Sequence, residues 1–251
     1  MNTNEPVITV EEMRAADAYT ISHGTPSLEL MHRAAMGVFN NYDWAGKRTL
    51  IYCGSGNNGG DGYALAQILA EHGHPVVIIM VSNKMSEDGR FYWEKCMQAK
   101  LPVLLMEQPA ESAGSAALLE NFSNTENAQS INREAGSAAL FENCLVKDDD
   151  FLNREKFDVI VDCILGTGFS GSPRGNAKTA IEEINSLRPD AEIISVDINS
   201  GMNGNTGQAD IAVKSDLTVS IGYLKTGFFR GRAEELIGRL VNVDIGISLP
   251  E

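Results

Sequence analysis

Basic side chains are scarce in this chain, with 20 Lys and Arg set against 34 Asp and Glu and a formal net charge of -14 at pH 7. That balance excludes nucleic acid as a partner, because phosphate binding needs clustered cations that release counterions. Cysteine is sparse too, four residues with no CxxC pair. Cys53 and Cys163 fall in apolar strand-like runs, where a thiol acts as a small hydrophobe, so a reduced, cytoplasmic setting is expected. Apolar residues nowhere run long enough to cross a bilayer, and the opening MNTNEPVITVEEM lacks the basic start and apolar core of an export leader. Neither a membrane span nor secretion is expected. No Gly-Lys-Ser/Thr triplet occurs, which excludes a P-loop.

What is present reads as one α/β domain over residues 1–251, since a chain with 43% hydrophobic residues can bury one sizeable core. Thr9 and Glu12 form a capping box for a helix over Val10 to Ser22, and Thr25 caps a second helix with Pro26 in its first turn. From Arg48 the period changes. RTLIYCG reads as a buried strand, a Gly/Asn-rich turn follows, then a helix over Asp61 to His72 and a strand over Val76 to Val81. A helix over Glu87 to Lys100 and a strand over Pro102 to Met106 continue the alternation. FDVIVDCILG, AEIISVDI, Leu217 to Ile221 and Arg239 to Val243 read as further strands, with a helix over Asn176 to Leu187. Such alternation predicts a Rossmann-like three-layer αβα sandwich with a mostly parallel sheet and an N-terminal helix pair beside it. Residues 107–150 break the pattern; GSAALLEN from Gly114 returns as GSAALFEN from Gly136, and the stretch reads as an insertion at the sheet edge.

Three strand ends carry chemistry. After the first core strand comes GSGNNGGDG, Gly54 to Gly62, where glycines free backbone N–H groups for an anion and the amides and carboxylate offer hard oxygens to a cation. The spacing is not that of the dinucleotide fingerprint, and a tight turn with no ligand is the plain alternative. Asp162 ends an otherwise apolar strand, where an isolated charge is costly and calls for a partner such as a cation, the plain alternative being an Asp that caps the following turn. Asp197 and Ser200 follow a third strand, so Asn58, Asp162, Asp197 and Ser200 converge on one sheet edge. Lys84 and Arg174 are possible anion contacts or plain loop residues, and the four histidines are expected to pack away from that edge.

At these residues the chain resembles the NAD(P)H-hydrate epimerase family over essentially its whole length. The likeness lies in MRAAD, HGTPSLELMHRAA, GSGNNGGDG, VDCILGTGFSG with PRG, and SVDINSG with NTG. It implies an isomerase that interconverts the R and S forms of hydrated NADH and NADPH (NADHX and NADPHX) at C6 of the nicotinamide ring. It further implies that Asn57, Asn58, Gly59, Gly60, Asp61, Gly166, Thr167, Gly168, Phe169, Ser170, Gly171, Ser172 and Asp197 bind the substrate, and that Asn58, Asp162 and Ser200 hold a potassium ion. A homodimer is implied, with a separate ADP- or ATP-dependent dehydratase acting beside it. Asp162 is the first choice for moving the proton and Asp197 the second. Two departures stand out: Asn199 where the family has Pro, expected to loosen the turn presenting Ser200, and Ala35 where it has Gly, expected to alter helix packing. The rival reading keeps the fold without turnover, as a nucleotide-binding or protein-binding module.

Overall fold

The computed structural model of the protein describes residues 6–106 and 156–250, and every structural statement here concerns those residues. The expected insertion at 107–150 lies outside them. In chain order they form β1 (Val7–Ile8), α1 (Val10–Ser22), α2 (Ser27–Asn40), β2 (Thr49–Cys53), α3 (Asn57–Glu71), β3 (Val76–Met80), α4 (Glu87–Gln98) and β4 (Val103–Leu105). After residue 156 come β5 (Val159–Cys163), α5 (Gly175–Leu187), β6 (Glu192–Val196), β7 (Leu217–Ile221), β8 (Leu224–Lys225), a 3-10 turn (Thr226–Phe229), α6 (Ala233–Leu236) and β9 (Arg239–Val243).

Seven parallel strands make the main sheet, ordered β4-β3-β2-β5-β6-β7-β9. The chain winds outward from β2 to β4, returns to lay β5 against the other side of β2, and winds out again to β9. The order reverses between β2 and β5, which is where open α/β sheets bind ligands beyond their strand ends. The central strands are wholly apolar or nearly so because helices cover both faces. Strand alternation then sorts the core into two. Ile51, Cys53, Ile78, Met80, Val161 and Ile194 pack with α1 to α4, whereas Leu50, Tyr52, Val77, Ile79, Ile160 and Ile193 pack with Ala180, Ile181 and Ile184 of α5. Each fully buried Leu or Ile contributes about 1.5–3 kcal/mol. A third cluster, built from Ile198, Met202, Ala212, Phe228 and Leu236, braces the connection that follows β6. The three-layer parallel architecture is the one the sequence predicts.

Three local expectations are corrected. The Gly/Asn-rich stretch after β2 is not a turn before a helix; α3 begins at Asn57, four residues ahead of Asp61. Tight packing overrides the poor helix propensity of glycine there. A Cβ on Gly59 would lie 2.0 Å from the Gly54 carbonyl oxygen, and one on Gly62 2.7 Å from Cys53 Sγ. The second helix is capped by Pro26 without a side-chain bond, so Thr25 does not cap it. Asn199 does not loosen its turn: fully buried, it donates to Val213 O at 3.1 Å, Ser215 Oγ at 2.9 Å and Leu236 O at 3.0 Å, and accepts from Thr218 Oγ1 at 2.9 Å. Ala35 is buried in α2. The short parallel pair β1 and β8, Val7 beside Leu224 and Ile8 beside Lys225, was not anticipated; two-residue strands leave no periodic signal.

Candidate active site

At the reversal point a cleft of about 540 Å³ opens between α1, the start of α3, and the loops after β5 and β6. Its lining includes Arg14 and Asp17 of α1, Asn57, Asn58 and Asp61 of α3, Gly166 to Phe169, and Asp197. No side chain caps α3. Among the described residues its first-turn N–H groups therefore have no side-chain partner, an arrangement that suits an anion at the mouth of an acidic cleft. Gly59 and Gly60 do not join them in the lining, being buried where α3 packs.

Beneath the cleft, Asp162 is 0% exposed at the end of β5. Its Oδ2 accepts from Ser195 Oγ at 2.9 Å and Ser200 N at 2.9 Å, and its Oδ1 accepts from Ile164 N at 3.3 Å and from Ser200 Oγ. Burial pushes the Asp162 carboxyl up, opposed by the hydrogen bonds from Ser200, Ile164 and Ser195. Ser200 Oγ also accepts from Leu165 N at 2.8 Å, and Asn58 Nδ2 donates to Leu165 O at 3.1 Å. Asn58 is only 6% exposed, and its Oδ1 is buried with no hydrogen-bond partner. A buried, unpartnered acceptor is costly, and this one stands among other hard oxygens.

Asp197 behaves differently. It follows β6 with φ of 66°, a left-handed conformation that costs a non-glycine residue about 1 kcal/mol and is found where surrounding structure enforces it. The turn lifts its carboxylate into the cleft with 16% of the side chain exposed. Oδ1 pairs with Lys225 Nζ at 2.6 Å, and Oδ2 accepts from Thr167 N at 3.2 Å. Lys225 is itself fully buried, donating to Ile221 O at 2.8 Å and Ser220 Oγ at 3.2 Å. Asp17 shares the cleft. Burial raises its carboxyl to about 6, with Asp197 adding to the rise and Lys225 opposing it. Asp61 is also pushed up, first by burial and then by Asp197 and Asp17.

Of the residues singled out from sequence, Asn57, Asn58, Asp61, Gly166, Thr167, Gly168, Phe169 and Asp197 line the cleft, and Asp162 and Ser200 lie under its floor. Ser170, Gly171 and Ser172 do not line it; they are exposed, and Ser172 donates to Asp210. Lys84 and Arg174 are exposed, Arg174 beside a separate cavity at the start of α5. None of the histidines lines the cleft. Sequence reasoning missed Asp17, within the quoted MRAAD, and Lys225, a single cation after an apolar strand. The phase of α1 offered a signal: its buried positions Met13, Ala16 and Thr20 put Asp17 at the border of the apolar stripe.

A doubly wound sheet with a carboxylate-lined cleft at its reversal point defines the class: an α/β protein built to hold a small ligand at its strand ends. The chain belongs to the family described as YjeF-related protein N-terminus, which it matches over residues 27–227. It is 33% identical to the NAD(P)H-hydrate epimerase of Lentilactobacillus buchneri over 96% of this chain and 94% of that protein. It is 31% identical to the NAD(P)H-hydrate epimerase of Limosilactobacillus fermentum over 96% and 97%. It also matches the bifunctional NAD(P)H-hydrate repair enzyme of Methanothermobacter thermautotrophicus at 34% identity, covering 94% of this chain but 39% of that enzyme. The crystal structure of the yeast protein ynu0 shares the fold, with a TM-score of 0.66 at 20% identity over 94% of this chain and 87% of that one.

Proposed function

We propose that this chain is an isomerase that interconverts the R and S epimers of hydrated NADH and NADPH at C6 of the nicotinamide ring. Asp197 carries the reading: an ion-paired carboxylate raised by a strained turn into a cleft at the sheet's reversal point. The relatives' names supply the reaction, and the cleft suits it. Inversion at C6 breaks and remakes the bond to a hydroxyl, passing through an iminium that the ring nitrogen stabilises. The Asp197 carboxylate, paired with Lys225, faces that cation in a half-buried cleft that it shares with Asp17, Asp61 and Asp88. The open N–H groups at the start of α3 suit the anionic end of the dinucleotide. Asp197, open to the cleft, suits the part of moving a proton, and Asp162, with every oxygen bonded beneath the floor, fits a structural and cation-holding part instead.

Asn58, Asp162 and Ser200 would hold a potassium ion. The fit rests on the unpartnered, buried Asn58 Oδ1 and on a carboxylate at 0% exposure with only neutral donors around it among the described residues. When bound there, the ion supplies the positive charge that a buried carboxylate otherwise lacks. A dehydratase is the natural consumer of one epimer, in keeping with relatives that are named bifunctional repair enzymes. No described helix is long and apolar enough to cross a membrane; a cytoplasmic homodimer completes the proposal.

The test starts from separately prepared R and S hydrates and follows their ratio by chromatography. Wild type is expected to speed the approach to equilibrium from both sides, and Asp197→Asn to lose about 10²–10⁴-fold of that acceleration. Spontaneous rates in wild type would overturn the reading.

A further inference from the structure

Four carboxyl groups line the cleft; Asp17 on the α1 wall and Asp197 on the strand-end floor come from different elements, and of these two only Asp197 has a counterion. Asp197 is held by Lys225 and by the Thr167 amide. Asp17 is half-buried against the same space, and no hydrogen bond or ion pair ties its carboxyl to another described residue. Asn58, whose buried Oδ1 has no hydrogen-bond partner among the described residues, borders the same cleft. An inversion needs what such a pair offers: an acid for the hydroxyl that leaves one face of the ring, and a base for the water that arrives at the other.

Building on the epimerase reading, we infer that Asp17 is a second catalytic residue, the acid that protonates the departing C6 hydroxyl while Asp197 receives the proton of the incoming water. The balance is complete without any further reagent. Asp17 gives its proton to the hydroxyl oxygen, the C6–O bond breaks with its electron pair going to that oxygen, and water leaves as the N1 lone pair closes the C6=N1 iminium. A water then adds to C6 from the other face, the iminium electrons return to N1, and the released proton goes to the Asp197 carboxylate. Proton exchange with solvent in the cleft returns Asp17 and Asp197 to their starting forms, and the opposite epimer runs the same steps in reverse. Lys225 is a positioning residue in this scheme, since it fixes Oδ1 of Asp197 and leaves the other oxygen beside the Gly166–Thr167 backbone.

Environment separates the two roles. Asp17 holds its proton to about pH 6, and the groups facing it are Asp197, Lys225, Asp61 and Asp88 from the packed elements, with Arg14 on its own helix. A carboxyl kept protonated by burial and a carboxylate held by a lysine give one cleft an acid and a base.

The experiment measures kcat and KM for both epimers between pH 5 and 9, on wild type, Asp17→Asn and Asp17→Glu, with initial rates repeated in ¹⁸O-water. Asp17→Asn is expected to lower kcat about 10²–10⁴-fold with KM little changed, and Asp17→Glu to recover part of it. Wild-type kcat/KM should fall as pH rises above about 6, a fall absent from the residual activity of Asp17→Asn. Each inversion should carry one ¹⁸O into the hydrate. An Asp17→Asn enzyme within a few-fold of an active wild type, or inversion with the original oxygen retained, overturns the role of Asp17 while leaving the epimerase reading in place. A wild type that does not accelerate inversion at all sinks the epimerase reading, and this inference with it.

Discussion

Single side chains in this protein act through charge that is only partly matched. Lys225 and Asp197 form an ion pair whose cation is wholly buried. Removing one partner strands the other, so Lys225→Met is expected to destabilise the fold by about 3–5 kcal/mol, read from urea midpoints. Asp17 works in the opposite sense. Burial lifts its folded carboxyl to about 6 from the ordinary 3.8, so its contribution is fully present below pH 3.8 and is lost as pH rises through 6. At pH 8 the ionised group then costs about 1–2 kcal/mol after allowing for its partial exposure. Asp17→Asn should therefore raise the thermal midpoint by about 3–6 °C at pH 8 and leave it unchanged at pH 3.5, by calorimetry. Strand-end acids such as Asp162 and Asp197 were legible in the sequence because a charge closing an apolar run has few plain explanations. Which of them faces the cleft was not, since that depends on the left-handed turn at Asp197 and on four hydroxyl and amide donors that close over Asp162.

Elements were legible where a period or a cap announces them. The capping box at Thr9 and Glu12 gave α1 its bounds, and runs of β-branched residues gave β2, β3 and β5. The start of α3 was hidden because glycine and asparagine are read as turn formers; here close approach, which no local propensity reports, makes them helical. Gly54 and Gly59 meet so tightly that any side chain at the second strikes the first's carbonyl. Gly59→Ala is accordingly expected to cost about 2–3 kcal/mol and to weaken ligand binding as α3 shifts, whereas Gly56→Ala, with open space around it, should change stability by under about 1 kcal/mol. Parallel denaturation curves for the two variants decide the point.

Across the whole molecule, the site is assembled from distant stretches: α1, the start of α3, and the ends of β5 and β6. A ligand held by all of them stabilises them together. Potassium is expected to raise the thermal midpoint over the same concentration of sodium, and Asn58→Ala to abolish the difference; equal midpoints in both salts for wild type would remove the ion from the proposal. The pairing of β1 with β8 adds a consequence in time. Lys225 reaches Asp197 from a strand that docks beside the very start of the described chain. While the protein is being synthesised, the Asp197 carboxylate therefore emerges before its counterion, and the pair cannot close until residue 225 has left the ribosome.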